Sequence, residues 1–230
     1  MRVSMQGPLG RIWVGISLLG AAFAAAVDAA PARAEQPESE QQNDLRDFRI
    51  GMKVEDLPRS GYVGLSCTAA PDQALSGWQD YRRCPADMAG RHEVRFRYDE
   101  TANPLARVND KYEGTKVGGH PVLLSLLIGA AGRVDGIRIV TDPQARLYMR
   151  KKAFLLGLQA KARYGEEGWT CTEGQLAQDE QPVGGVFVKE RCEKTTPTRH
   201  LIVERDLFRR SGQDPKEFVN DTKITILPPG

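Results

Sequence analysis

The sequence lacks every common catalytic signature and has few of the side chains from which one is built. Only three histidines and four cysteines occur among 230 residues, and aromatic residues make up 7%. There is no Gly-x-Ser-x-Gly nucleophile elbow, phosphate-binding loop, zinc-protease helix or calcium-loop run. Cys-x-x-Cys is also absent, which excludes a thioredoxin-like redox centre and covalent haem. We therefore expect no catalytic residue, no bound metal and no cofactor.

The first 34 residues have the pattern of a cleavable export signal. Arg2 and Arg11 form a basic start, residues 12–27 are small or apolar, and a small-residue cleavage pattern ends at Ala34. The apolar run is shorter than the roughly 20 residues that a membrane-spanning helix needs. We predict a signal peptide over 1–34 and a periplasmic protein, with secretion as the alternative and no integral membrane segment.

The charge balance argues against nucleic-acid binding. The chain has 32 Lys and Arg against 30 Asp and Glu. Removal of the signal takes away three arginines and one aspartate, so the mature chain has equal numbers of basic and acidic residues. A neutral protein has no overall field that attracts nucleic acid, and export removes it from that partner.

Four cysteines in an exported chain predict disulfide bonds, because thiols are oxidised in that compartment. Three pairings are open to four cysteines. We favour the local one, Cys67–Cys84 and Cys171–Cys192, since each pair then lies within one half of the chain.

Hydropathy patterns predict an α+β domain. Residues 35–44 have no apolar side chain and are interpreted as a flexible linker, so the globular region is placed at 45–230. Residues 94–98 alternate as in a half-buried strand, and 122–128 are apolar on both faces as in a central strand. Further strands are predicted at 62–67, 134–140, 169–172, 186–192, 200–207 and 223–227.

One long helix completes the predicted fold. Asp142-Pro143 is a favourable helix start, and Gly165 is a favourable stop. A buried stripe is predicted from five side chains at helical spacing: Leu147, Phe154, Leu155, Leu158 and Ala162. The expected fold class is an antiparallel sheet packed against this helix and cross-linked by disulfides.

An internal duplication is a further hypothesis, with pseudo-repeats at 45–142 and 143–230. Cys84 precedes an Arg-His pair by the same spacing as Cys192, and a Val-Asn-Asp follows at 108–110 and 219–221. The two strands that begin at these histidines have opposite phases, which counts against a simple repeat. The residues leave both alternatives open.

The two Arg-His pairs of these hypothetical repeats are the only candidate polar site. They are Arg91 with His92 and Arg199 with His200. If the two histidines converge, they could hold a metal or transfer a proton. The alternative, which we favour, is that each ring is satisfied by a nearby group in its own strand, because no carboxylate or thiolate stands at ligand spacing.

The predicted helix also concentrates positive charge. Six cations and no acid lie between Pro143 and Gly165: Arg146, Arg150, Lys151, Lys152, Lys161 and Arg163. This segregation indicates a docking face for an acidic protein or an anionic envelope surface. The alternative is a solvated face whose cations pair with acids such as Glu166 and Glu167.

These features favour a non-enzymatic, exported accessory or protein-interaction module. The first alternative is a ligand-binding or enzyme-inhibitor protein that uses disulfide-held loops such as 68–83 or 173–183. The second alternative is an enzyme with a site near His92 and His200.

Overall fold

A computed structural model describes residues 43–102, 115–214 and 216–230, which are built around an eleven-stranded antiparallel β-sheet. The predicted signal peptide, most of the predicted linker and the landmark at 108–110 lie outside the described residues. The strands are β1 (Tyr62–Cys67), β2 (Ala70–Ala74), β3 (His92–Tyr98), β4 (Thr115–Val117), β5 (His120–Ile128), β6 (Val134–Thr141), β7 (Thr170–Glu173), β8 (Glu180–Gln181), β9 (Val188–Thr195), β10 (His200–Arg210) and β11 (Val219–Leu227).

The sheet divides into two halves that are each continuous in sequence. Its strand order is β2-β1-β3-β5-β6-β11-β10-β9-β7, with β4 paired to β5 and β8 paired to β10. We call β1–β6 the first half-sheet and β7–β11 the second half-sheet. Their last strands, β6 and β11, pair at the centre, where Ile139 lies opposite Ile224. The order is compatible with two pseudo-repeats, which stay a prediction.

Burial alternates along β3 as the sequence pattern predicts. Val94, Phe96 and Tyr98 are buried, whereas Arg95 and Arg97 on the other face are partly exposed. A strand with one face in the core and one face in water requires this period of two. The predicted half-buried strand at 94–98 is therefore confirmed.

The predicted central strand at 122–128 is also confirmed as part of β5, which pairs with β3 on one side and β6 on the other. Leu126 and Leu127 point to opposite faces, and both are buried. Gly136 in β6 lies opposite Leu127, and a Cβ added there would lie 2.6 Å from a Leu127 methyl carbon. Glycine is therefore required here for close approach.

An aromatic cluster fills the core under the first half-sheet. Phe48 has no exposed surface, and its ring centroid lies 4.6 Å from that of Tyr62, 5.6 Å from Trp78 and 5.0 Å from Phe96. The Trp78 indole donates a 2.9 Å hydrogen bond to the carbonyl oxygen of Pro58. Large rings in tilted contact bury much apolar area, so this cluster is a main source of stability.

The predicted α+β fold with one long helix is wrong, because the protein is mostly β-sheet and its α-helices are short. They are α1 (Leu147–Arg150) and α2 (Phe154–Arg163). Asp142 accepts a hydrogen bond from the amide of Gln144, which forms a turn, and Arg146 is still extended with ψ 143°. A favourable capping sequence thus starts a local turn before the helix begins.

The predicted buried stripe is wrong as well. Phe154 is 38% exposed and Leu158 is 52% exposed, whereas Leu156, Gly157 and Ala160 face the sheet. A Cβ added at Gly157 would lie 3.3 Å from Val203 and 3.4 Å from Thr222, so the small residue permits close packing. The buried face of α2 thus combines one large side chain with two small residues and leaves Phe154 and Leu158 exposed, which sequence periodicity does not foresee.

Both favoured disulfides are confirmed. Cys67–Cys84 joins β1 to the end of a 3-10 helix at Trp78–Arg83, and both cysteines are buried. Cys171–Cys192 joins the edge strand β7 to β9, and Cys171 is exposed. Each bond therefore fixes the outer part of one half-sheet.

Candidate functional site

The six cations of the predicted basic helix do not share one environment. Arg150 donates to the carbonyl oxygen of Phe218 at 3.5 Å, and Arg163 donates to that of Asn43 at 2.9 Å. Lys161 turns toward the second disulfide, as described below. Three cations that flank α1 remain exposed, with no ion pair to any residue the structure describes: Arg146 before the helix, and Lys151 and Lys152 after it.

Lys161 contacts the disulfide of the second half-sheet. Its Nζ lies 3.0 Å from Cys192 Sγ and 3.8 Å from Cys171 Sγ. Glu190 pairs with the same ammonium group at 3.6 Å, and the Trp169 ring centroid is 5.8 Å away. This cation is therefore occupied inside the protein and is not available for docking.

Exposed apolar side chains accompany the three available cations. Tyr148 is 56% exposed and Leu158 is 52% exposed. Phe154, one turn before Leu158, is 38% exposed, and the Arg205 guanidinium group of β10 lies 5.9 Å from its ring centroid. We define the helix surface as six residues: Arg146, Tyr148, Lys151, Lys152, Phe154 and Leu158. Mixed aromatic and cationic side chains are typical of protein interfaces, where they act as anchors.

The acids proposed as partners for these cations lie elsewhere. Glu166 and Glu167 are exposed after the end of α2, and the described residues show no ion pair between them and the helix surface. Lys194 Nζ donates a 2.7 Å hydrogen bond to the Glu167 carbonyl oxygen, which is a contact with the backbone and not with the carboxylate. Within the described chain, the helix surface therefore keeps its positive charge.

The first polar pair, Arg91 and His92, is satisfied locally. Arg91 binds Asp87 through two nitrogens at 2.9 and 2.8 Å, which lowers the pKa of that carboxyl group even though partial burial opposes the shift. His92 Nδ1 donates to the Cys84 carbonyl oxygen at 2.7 Å, and its ring packs edge-on against Tyr81.

The second polar pair, Arg199 and His200, has separate partners. Arg199 binds the buried carboxylate of Asp44 at 2.6 Å, so the start of the described chain is fixed to the second half-sheet. His200 Nε2 lies 3.2 Å from Glu193. Three strands separate β3 from β10, so at about 4.8 Å per strand the two histidines are roughly 19 Å apart. The structure does not bring them together.

A pocket that sequence reasoning missed lies at one end of the first half-sheet. It encloses about 330 Å³ between three chain segments: 53–55, 79–82 and 131–133. Its walls contain three cations, Lys53, Arg82 and Arg133, and one carboxylate, Glu55. No sequence motif predicts this site, because its residues are far apart in sequence. The predicted binding loop 68–83 is the one signal that points to it.

Two aspartates form a pair of like charges on the second half-sheet. Asp206 in β10 lies directly opposite Asp221 in β11. Burial raises the pKa of both carboxyl groups, and the neighbouring Asp206 raises that of Asp221 further.

The third histidine, His120, has a lowered pKa. Burial is the main cause, and the nearby charge of Lys152 lowers the pKa further.

One cluster among the described residues has the composition of a metal site, namely Cys171, Glu190 and Cys192. The two sulfurs are bonded to each other, so they cannot act as thiolate ligands. Among residues 43–102, 115–214 and 216–230, no helix is long and apolar enough to cross a bilayer.

Comparison of the chain with models of protein families, with curated proteins and with solved structures gives no significant match. Functional argument therefore depends on the residues and their geometry alone.

Proposed function

We propose that this protein is an exported, non-enzymatic interaction module of the periplasm that docks on an acidic protein through its helix surface. One observation carries the proposal: exposed cations that form no ion pair with any described residue lie beside exposed aromatic and aliphatic side chains. The two disulfides support export, since such bonds persist in oxidising compartments.

Charge and exposure explain how this surface would recognise a partner. Lys151 and Lys152 attract acidic side chains over distances near the Debye length of about 8 Å, which raises the rate of encounter. Tyr148 and Leu158 then lose water-exposed apolar area in the complex. The combination selects a partner with acidic residues around an apolar patch.

An acidic protein fits this surface better than an anionic membrane does. Each Lys or Arg near a lipid surface contributes about 1 kcal/mol, and lipid-binding clusters contain roughly four to eight of them. The helix surface has three available cations and no apolar segment long enough to anchor in lipid. A protein interface needs fewer charges, because a few buried anchors supply most of its affinity.

Site-specific photo-cross-linking in periplasm tests this proposal. A photoreactive residue at position 148 or 158 should yield a discrete cross-linked protein, whereas one at Met88, which is fully exposed in the turn before β3, should not. The variant Lys151→Glu/Lys152→Glu should reduce the yield on the order of tenfold. Arg59→Glu/Arg83→Glu is the matched control, since it makes the same charge change away from α1 and α2.

Two results would contradict the proposal. The first is equal cross-linking from position 88, which would show contact without a specific surface. The second is sedimentation with phosphatidylglycerol vesicles that the Lys151→Glu/Lys152→Glu variant loses, with no protein cross-link from position 148 or 158. That outcome would assign the helix surface to a membrane.

A further inference from the structure

The pocket at the end of the first half-sheet has walls that are fixed before any ligand binds. The Val54 amide donates to the Gly132 carbonyl oxygen at 2.9 Å, and the Gly51 amide donates to that of Val134 at 2.8 Å. The third wall is the 3-10 helix at Trp78–Arg83, which ends at the buried cysteine Cys84. A preformed site loses little conformational entropy when it binds a ligand.

The two arginines of the pocket keep donors available for a ligand. Arg82 uses one terminal nitrogen for the Ala130 carbonyl oxygen at 3.4 Å, and Arg133 uses one for that of Gly51 at 3.0 Å. No carboxylate among the described residues pairs with either guanidinium group. Because a guanidinium group has five N–H donors, both can still bind an oxyanion through two hydrogen bonds.

A buried hydroxyl group in the same wall lacks a partner. Tyr81 is 4% exposed, and its oxygen has no hydrogen-bond partner in the described structure. This oxygen lies 3.5 Å from the position that a Cβ on Gly132 would occupy, so it is beside a residue that lines the pocket. A buried hydroxyl without a partner is costly, which indicates that a ligand oxygen satisfies it.

We infer that this pocket binds the phosphate group of a small molecule or free phosphate. Lys53 pairs with Glu55 at 3.2 Å, so Arg82 and Arg133 leave an excess of two positive charges in the wall, which favours a divalent anion over a monovalent one. The two arginines would hold the phosphate oxygens, and the Tyr81 hydroxyl would donate to one of them. This binding site is separate from the helix surface and does not depend on docking there.

Calorimetric titration of the mature protein tests the inference, with ionic strength held constant by potassium chloride. Inorganic phosphate and glycerol 3-phosphate should each bind saturably, and the tighter of the two identifies free phosphate or an ester as the ligand. Acetate should bind at least about tenfold more weakly, because it has one charge. Arg82→Gln and Arg133→Gln should each weaken phosphate binding by about tenfold. Arg83→Gln is the matched control on the same 3-10 helix and should leave the affinity unchanged.

Two further variants separate binding from folding. Tyr81→Phe should leave the melting temperature of the free protein unchanged or slightly raised, because the hydroxyl has no partner there, yet weaken phosphate binding roughly threefold to tenfold. Glu55→Gln should strengthen binding, since it removes the one negative charge in the wall. No saturable phosphate binding, or equal affinities in Arg82→Gln, Arg133→Gln and the unchanged protein, would overturn the inference.

Discussion

In the first half-sheet a disulfide lies buried in the core, whereas in the second half-sheet the other disulfide lies at an exposed edge. Cys67 and Cys84 share a core with Phe48 and its aromatic neighbours. Cys171 is exposed on β7, and Lys161 contacts the bond from the adjacent helix. The same type of cross-link therefore stabilises a sealed core in one half and an accessible edge in the other.

The two half-sheets also differ in which large side chains are buried beside them. Under the first half-sheet, large aromatic side chains such as Phe48 and Trp78 face inward. Over the second half-sheet, α2 turns Gly157 and Ala160 inward and leaves Phe154 outside. The first half is thus suited to a preformed ligand pocket and the second to contact with another surface.

The largest expected effect is in the aromatic core. Phe48→Ala should lower the free energy of unfolding by about 4 kcal/mol, because it removes a fully buried ring and leaves a cavity. Phe154→Ala, which truncates the same side chain at an exposed position, should cost less than about 1 kcal/mol. Urea unfolding of both variants measures the contrast, and similar losses would remove the distinction between the two halves.

The two disulfides should differ in their resistance to reduction. Their loops are of similar length, so each contributes about 3 kcal/mol through the unfolded chain. Cys171–Cys192 should nevertheless be reduced first, because Cys171 is accessible and the Lys161 ammonium group stabilises the Cys192 thiolate that forms. Alkylation and mass spectrometry during stepwise reduction give the order.

Lys161→Met provides the control for that order. It keeps the length of the side chain and removes the charge, so reduction of Cys171–Cys192 should slow by roughly threefold while Cys67–Cys84 is unaffected. An unchanged rate would show that exposure alone sets the difference between the bonds.

The smallest expected effect comes from the Asp206 and Asp221 pair. The folded state raises both pKa values, so it binds more protons than the unfolded chain, and the contribution of the pair to stability falls as pH rises through the raised pKa values. Asp221→Asn should therefore stabilise the protein by roughly 0.5 kcal/mol at pH 7 and have no such effect at pH 3. Thermal unfolding at the two pH values measures this, with the exposed Asp72→Asn as a control that should show no gain at either.

Strand positions could be predicted from the sequence, because alternation in β3 and the apolar run in β5 report directly on which faces are buried. The helix could not, since Asp142-Pro143 fits a turn as well as a helix start. The direction of α2 depends on how closely Gly157 approaches Val203, which is a property of the assembled sheet. Periodicity places Phe154 and Leu158 in the buried stripe, and in the structure both are exposed while Leu156 is buried.

The candidate sites show the same limit. The charge excess of the helical region was visible in the sequence, but the contacts that occupy Arg150, Lys161 and Arg163 arise from tertiary packing. The phosphate pocket joins Arg82 to Arg133 across two separate turns of the chain. No local spacing in the sequence predicts that these two arginines lie close together, and only the disulfide-held loop 68–83 indicated the region.

The central claim is that the two halves have separate binding roles, and one comparison of two variants tests it most directly. Lys151→Glu/Lys152→Glu and Arg82→Gln/Arg133→Gln should each be assayed for protein cross-linking from position 148 and for calorimetric phosphate binding. We expect the first variant to lose cross-linking on the order of tenfold and keep its phosphate affinity, and the second to show the reverse. Loss of both activities in either variant, or of neither in both, would contradict the account.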